Sequence, residues 1–256
     1  MPDQKTKNST KLRSLAYVLF LGILTTSATM GVASAGWRDL VDEVKTKLTS
    51  STKSGLSSSE VAEGLKEALT VGSKKSIDIL GNTDGFYKDN AVRIPMPEQL
   101  KQVDKLLRRI GQDSLADGFI KTMNRAAEKS VTSTFNIFVS AIKQMTLKDA
   151  VEIYKGSDDE ATRYFRRTKG GEIQQTIHPI VKKATQETGV TSNYKKIASK
   201  VRKLHPSLAE SMPNIDDYVT EKTMDGLFYK IAKEEALIRK DPAARTTETL
   251  KKVFSQ

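Results

Sequence analysis

From Ser57 onward the apolar residues recur every three or four positions, and no region alternates over several strands, so the pattern predicts an all-α body. Ser57 with Glu60 forms a capping box that opens a first helix, which runs to about Leu80 and stops at Gly81. Pro97 opens the next helix, with Leu100, Val103, Leu107 and Ile110 on one face and Gly111 at its close. The strongest signal follows. Ile120, Met123, Ala127, Val131, Phe135, Phe138, Ile142 and Met145 step by three or four, which predicts one nearly straight helix from about Ser114 to Met145. At ~1.5 Å per residue it would extend ~45–50 Å, the spine of a bundle. Thr146 with Asp149 caps a short helix ending at Gly156, and Ser157 with Glu160 caps another that breaks at Gly170-Gly171. A further helix holds Pro179, which should kink or start it. The helix Tyr194 to Leu204 turns Tyr194, Ile197, Val201 and Leu204 inward. Past Pro206 and Pro213, a long helix runs from about Asp216 to Lys240; Pro242 ends it and a final short helix reaches Phe254. The expected fold is all-α, a multi-helix bundle of about eight or nine helices around one long central helix.

One long stretch breaks the helical pattern, Gly81 to Pro97. Asp84-Gly85 reads as a turn and Val92-Arg93-Ile94 as extended backbone. We expect a packed connection anchored by Phe86, Tyr87 and Ile94, with a functional loop as the alternative.

The amino-terminal end has another character. Lys5, Lys7, Lys11 and Arg13 precede an apolar run from Leu15 to Leu24, and Ala33-Ser34-Ala35 is a small-x-small cleavage pattern. Residues 1–35 read as a secretory signal peptide, with cleavage after Ala35; the run is shorter than the ~20 residues of a spanning helix. A soluble periplasmic protein is expected, beginning with a short amphipathic helix over Trp37 to Leu48 and a Ser/Thr-rich linker from Thr49 to Ser59. The all-helical domain then occupies 57–256. Removing the signal takes four basic residues and one acid from the 42 and 31 of the chain, leaving a net charge of +8. In the envelope such a balance points to anionic lipid or an acidic envelope polymer as partner, and away from nucleic acid.

Composition narrows the chemistry. With no cysteine, thiolate chemistry and Cys-ligated metal sites are excluded; with two histidines a multi-His metal site is not expected, nor is a cofactor. No nucleophile elbow, phosphate-binding loop or His-Glu-x-x-His is present. His178 and His205 each precede a proline and read as structural or surface residues. Two polar constellations stand out. Asn124 and Glu128 flank the seam of the expected spine, about 60° and about 100° from Ala127, one turn apart and able to bond each other, while Arg125 points nearly opposite. They read as a solvated flank beside a tight crossing at Ala126-Ala127, or as the lining of a groove. Glu235 falls on the apolar stripe of the last long helix, between Ile231 and Ile238, with Arg239 one turn on. A carboxylate there must be paired, protonated or facing a cavity. An ion pair with Arg239, joined by Arg245 or Arg125, is expected; an acid at a pocket wall is the alternative. A third set is cationic: Lys195, Lys196, Lys200, Arg202 and Lys203 lie away from Ile197 and Val201, and Arg163, Arg166, Arg167 and Lys169 crowd another short helix. These read as solvated faces or as binding sites for anionic membranes or phosphorylated glycans.

The motifs Met123-Asn124-Arg125-Ala126-Ala127-Glu128, Ala161-Thr162-Arg163-Tyr164-Phe165, Tyr218-Val219-Thr220, Asp225-Gly226-Leu227-Phe228 and Glu234-Glu235-x-x-Ile238-Arg239-x-Asp241-Pro242 follow in this order. Through them the chain resembles a family of secreted, mainly proteobacterial proteins known as a domain of unknown function. The likeness covers about Leu56 to Phe254. Thr223-Met224 stands where the family tends to Ala-Leu, Asp241 where Asn is common, and the lipoprotein Cys of many relatives is missing. The resemblance implies an all-helical fold and an extracytoplasmic location; it implies no activity. A non-catalytic binding or envelope-associated role is therefore expected, with a small anion, a lipid or an acidic envelope component as ligand. The alternative is a hydrolase-type enzyme using Glu128 or Glu235 as acid or base. The processing step is checked first: amino-terminal sequencing of exported protein should begin at Gly36, and material beginning at Met1 contradicts the assignment.

Overall fold

The computed structural model describes residues 55–255 apart from His205 and Ser211. The targeting segment, the helix expected over 37–48 and most of the linker lie outside the described residues. Helix α1 (Ser58–Leu80) begins as the sequence predicts: Ser57 Oγ accepts the Glu60 amide, Glu60 returns a carboxylate to the Ser57 amide, and Gly81 is the C-cap. A 3₁₀ turn (Glu98–Leu100) leads into α2 (Lys101–Arg109), which buries Leu100, Val103 and Leu107 and closes at Gly111, φ +70°. Ile110, expected on that face, is 46% exposed, because the helix has ended before it.

The expected spine is two helices, α3 (Asp113–Val131) and α4 (Phe135–Lys143). The break lies in Ser130-Val131-Thr132-Ser133-Thr134. There the hydroxyls of Ser130, Thr132 and Thr134 donate to the carbonyls of Ala127, Lys129 and Val131, each three residues back. Hydroxyls that compete for backbone partners in this way tighten the last turn and end the helix. The apolar rhythm continues across the break, so periodicity alone does not reveal it.

Helix α5 (Leu147–Tyr154) has the expected Thr146–Asp149 capping box. Helix α6 (Glu160–Glu187) reverses an expectation, for it runs unbroken through Gly170-Gly171 and Pro179. Ala161, Phe165, Ile173, Ile177, Val181 and Ala184 form one buried stripe along it. Two helix glycines cost about 1 kcal/mol each, whereas burying each large apolar side chain returns ~1.5–3 kcal/mol, so packing prevails. Gly189, at φ +84°, turns the chain into α7 (Val190–Leu204), which starts four residues before the expected Tyr194. Then follow the short α8 (Pro206–Glu210), α9 (Ile215–Lys240), a 3₁₀ turn at Pro242–Ala244 and α10 (Glu248–Phe254). Helix α9 packs on α1, α6 and α3, and α6 also touches α4, α5 and α7. The all-α bundle is as expected, framed by α1, α6 and α9 in place of one long spine. Phe138, Phe165 and Phe228 meet at its centre, with ring centroids 5.6–6.3 Å apart. Among the described residues no helix is long and apolar enough to cross a membrane.

Two glycines test this packing. A Cβ on Gly226 of α9 would stand 2.6 Å from Phe86 Cε1 and 3.2 Å from Val92 Cβ, both buried. A Cβ on Gly171 would meet nothing within 4 Å. We expect Gly226→Ala to destabilise by ~1–3 kcal/mol and Gly171→Ala to stabilise by ~0.5–1 kcal/mol. Chemical denaturation of both variants checks this; shifts of the same sign contradict it.

Candidate functional site

Two groups of polar residues were candidates from the sequence, and the structure places them differently. The first is buried. Helix α6 begins with amides that have no partner in their own helix. The expected Ser157 box does not form: Ser157 Oγ instead bonds the carboxylates of Asp159 and Glu160. The cap comes from 73 residues away. Glu235 of α9 accepts the amides of Ala161 at 3.0 Å and Thr162 at 2.8 Å, and the Thr162 hydroxyl at 2.6 Å. A carboxylate here also faces the positive end of the α6 dipole. Arg239, one turn on, donates Nε to Glu235 Oε1 at 3.0 Å. Its Nη atoms reach the carbonyls of Ile153 and Tyr154 at the end of α5, and the guanidinium lies 5.7 Å from the Phe254 ring centroid. One ion pair thus joins α5, α6, α9 and α10. Arg245 donates to the carbonyls of Ile238 and Arg239, closing the end of α9, and Arg125 is held elsewhere. The place proposed for those arginines beside Glu235 is taken by backbone amides.

The motif on α3 does the same for the Gly81–Pro97 segment. Asn124, fully buried, accepts the Ile94 amide and donates to the Ile94 carbonyl, both at 2.8 Å. Glu128 Oε1 accepts the amides of Phe86 and Tyr87, both at 3.1 Å. Arg125 curls back to Glu128 Oε2 and to Asp84, which holds a left-handed turn at φ +73°. Lys88 and Arg125 keep the Asp84 carboxyl below its usual range. Phe86 and Ile94 are buried, so the stretch is a packed connection. Asn124 and Glu128 do not bond each other; each takes backbone from the loop. Among the described residues, no group of three or more Asp, Glu or His stands placed to hold a metal ion.

The second group is exposed. On α6, Arg163 pairs with Asp159, Arg166 with Asp225 and Lys169 with Glu172, while Arg167 lies 5.5 Å from the Tyr164 ring. Helix α7 differs. It contains no acid, and none of Lys195, Lys196, Lys200, Arg202 and Lys203 has an acidic partner among the described residues. Val190, Ile197 and Val201 seat its inner side in the core. Outside, an open cleft of about 760 Å³ is lined by Gln186, Thr191, Ser192, Lys195, Lys196, Ser199 and Lys200. A second concavity of about 320 Å³ continues it along Lys195, Ala198, Ser199, Arg202 and Lys203. The sequence reading starts this helix at Tyr194 and so leaves out Thr191, Ser192 and the hydroxyl floor; the acid-free run beginning at Val190 is the signal that marks it.

The buried pair yields a test. Glu235→Ala leaves the Arg239 cation and two amides buried, and Arg239→Ala leaves the carboxylate. Each change should cost about 3–5 kcal/mol, and the double variant less than their sum. Losses under about 1 kcal/mol that add would place the pair in solvent.

No curated protein and no solved structure matches the chain. A family model does match, over residues 55–255. That span includes both buried clusters and the whole of α7. The chain belongs to the family described as protein of unknown function (DUF4197).

Proposed function

We propose that the protein is a non-catalytic, anion-binding component of the bacterial periplasm, exported by a signal peptide cleaved after Ala35. Its binding surface is the outer face of α7. The observation that carries this reading is the contrast between two cationic helices. In the first half of α6, Arg163, Arg166 and Lys169 are matched by acids and Arg167 by an aromatic ring, and the cations of α7 have no acidic partner among the described residues. Unmatched cations on an acid-free face raise the local concentration of anions, and each lysine or arginine near an anionic surface contributes about 1 kcal/mol. The hydrolytic alternative has less behind it. Both oxygens of Glu128 and of Glu235 are occupied by amides, arginine or a hydroxyl, and the two residues are 4% and 1% exposed.

The test separates place from net charge. Lys195→Gln/Lys196→Gln/Lys200→Gln and Lys74→Gln/Lys101→Gln/Lys251→Gln remove equal charge. The second set comes from lysines already paired with Asp78, Glu98 and Glu248. On a phosphocellulose column developed with salt, the α7 variant should elute well before wild type and the control close to it. Equal elution of the two variants contradicts the proposal.

A further inference from the structure

The anion-binding reading leaves open the form of the anion, and the shape of α7 bears on that. At about 100° per residue, Ser192 and Ser199 lie within ~20° of each other at the middle of the outward face, opposite the buried Val190, Ile197 and Val201. Lys195 and Arg202 stand on one side of this hydroxyl line, and Lys196, Lys200 and Lys203 on the other. Lys195 faces Lys196 and Arg202 faces Lys203, the two pairs ~10 Å apart along the axis with Lys200 between them. The two concavities share Lys195 and Ser199, so they form one trough, ~16 Å from Ser192 to Lys203.

We infer that this trough takes a linear phosphate-bearing polymer, laid along the helix with successive phosphates between the cation rows. This rests on the anion-binding reading above. Three features favour a strand. The five cations are all exposed and none converges with another on a buried point, so a single phosphate gains little. Among the described residues the floor offers hydroxyl donors and no exposed large apolar side chain that would insert between lipid chains. The aromatic ring of the helix, Tyr194, is half-buried, stacks on Phe119 and bonds the Pro213 carbonyl, so bases have no platform there.

The experiment measures binding of the full mature chain to three probes at equal total phosphate: orthophosphate, linear inorganic polyphosphate, and phosphatidylglycerol vesicles. Polyphosphate should bind at least tenfold more tightly than vesicles, with orthophosphate unsaturated over the same range. The log–log salt slope for polyphosphate should fall near −3, about 0.7 for each of four or five cations. Ser199→Glu, which sets a carboxylate on the floor while leaving every cation in place, should weaken polyphosphate at least tenfold. Circular dichroism checks that this exposed variant is folded. Vesicles binding as tightly as polyphosphate, or Ser199→Glu leaving polyphosphate binding unchanged, overturns the trough while the anion-binding face stands. Absence of binding to all three overturns both.

Discussion

The structure depends on buried carboxylates and one amide that capture backbone groups from distant segments. An unpaired buried amide costs about 1–3 kcal/mol, and a helical bundle leaves such amides wherever a helix begins inside it or a loop is folded into it. Here α6 begins inside and the Gly81–Pro97 segment is folded in. Glu235 takes two amides in the first case; Glu128 and Asn124 take three in the second. Because these acceptors sit on α9 and α3, satisfying the backbone also sets how the helices are placed. The carboxylates are in turn held by arginines one turn or less away, Arg239 and Arg125.

The motifs that carry the family likeness meet one another in space. Glu235 of the last motif caps the helix at Ala161 and Thr162 of the second. Phe165 of the second packs on Phe228 of the fourth, and Arg166 pairs with Asp225. Gly226 makes room for Phe86, whose amide belongs to Glu128 of the first. Tyr218 of the third holds the Pro95 carbonyl at the end of the same loop. These residues therefore build the frame. The outer face of α7, proposed above for anion binding, is outside all five motifs and has a different chemistry: exposed, acid-free and cationic.

Much of the fold was legible because it is local. The caps at Ser57 and Thr146, the stop at Gly81 and the inward face of α9 follow from residues within one turn of each other. The misreadings have a shared cause. Gly170-Gly171 reads as a break, but the stripe from Phe165 to Ile173 and Ile177 is buried, with Phe165 packed on Phe138 of α4 and Phe228 of α9, and that burial outweighs two glycines. The spine reads as continuous because its apolar rhythm survives three hydroxyls that end the helix at Val131. The stripe position of Glu235 was readable, and its burial beside Arg239 follows from it. Its amide partners were not readable, since a cap 73 residues away leaves no trace in local spacing. The cation face of α7 was readable as a run of charge. Its hydroxyl floor was not, because the helix start lay hidden in Val190-Thr191-Ser192.

The central claim is that Glu235, Glu128 and Asn124 hold backbone amides that no helix turn or strand would otherwise satisfy. Native-state hydrogen exchange resolved to single amides tests it most directly. Ala161 and Thr162, although in the first turn of α6, and Phe86, Tyr87 and Ile94, although in a loop, should exchange only through global unfolding, with the protection of core amides in α9. Exchange of these five amides as fast as that of ordinary first-turn or loop amides would contradict the account.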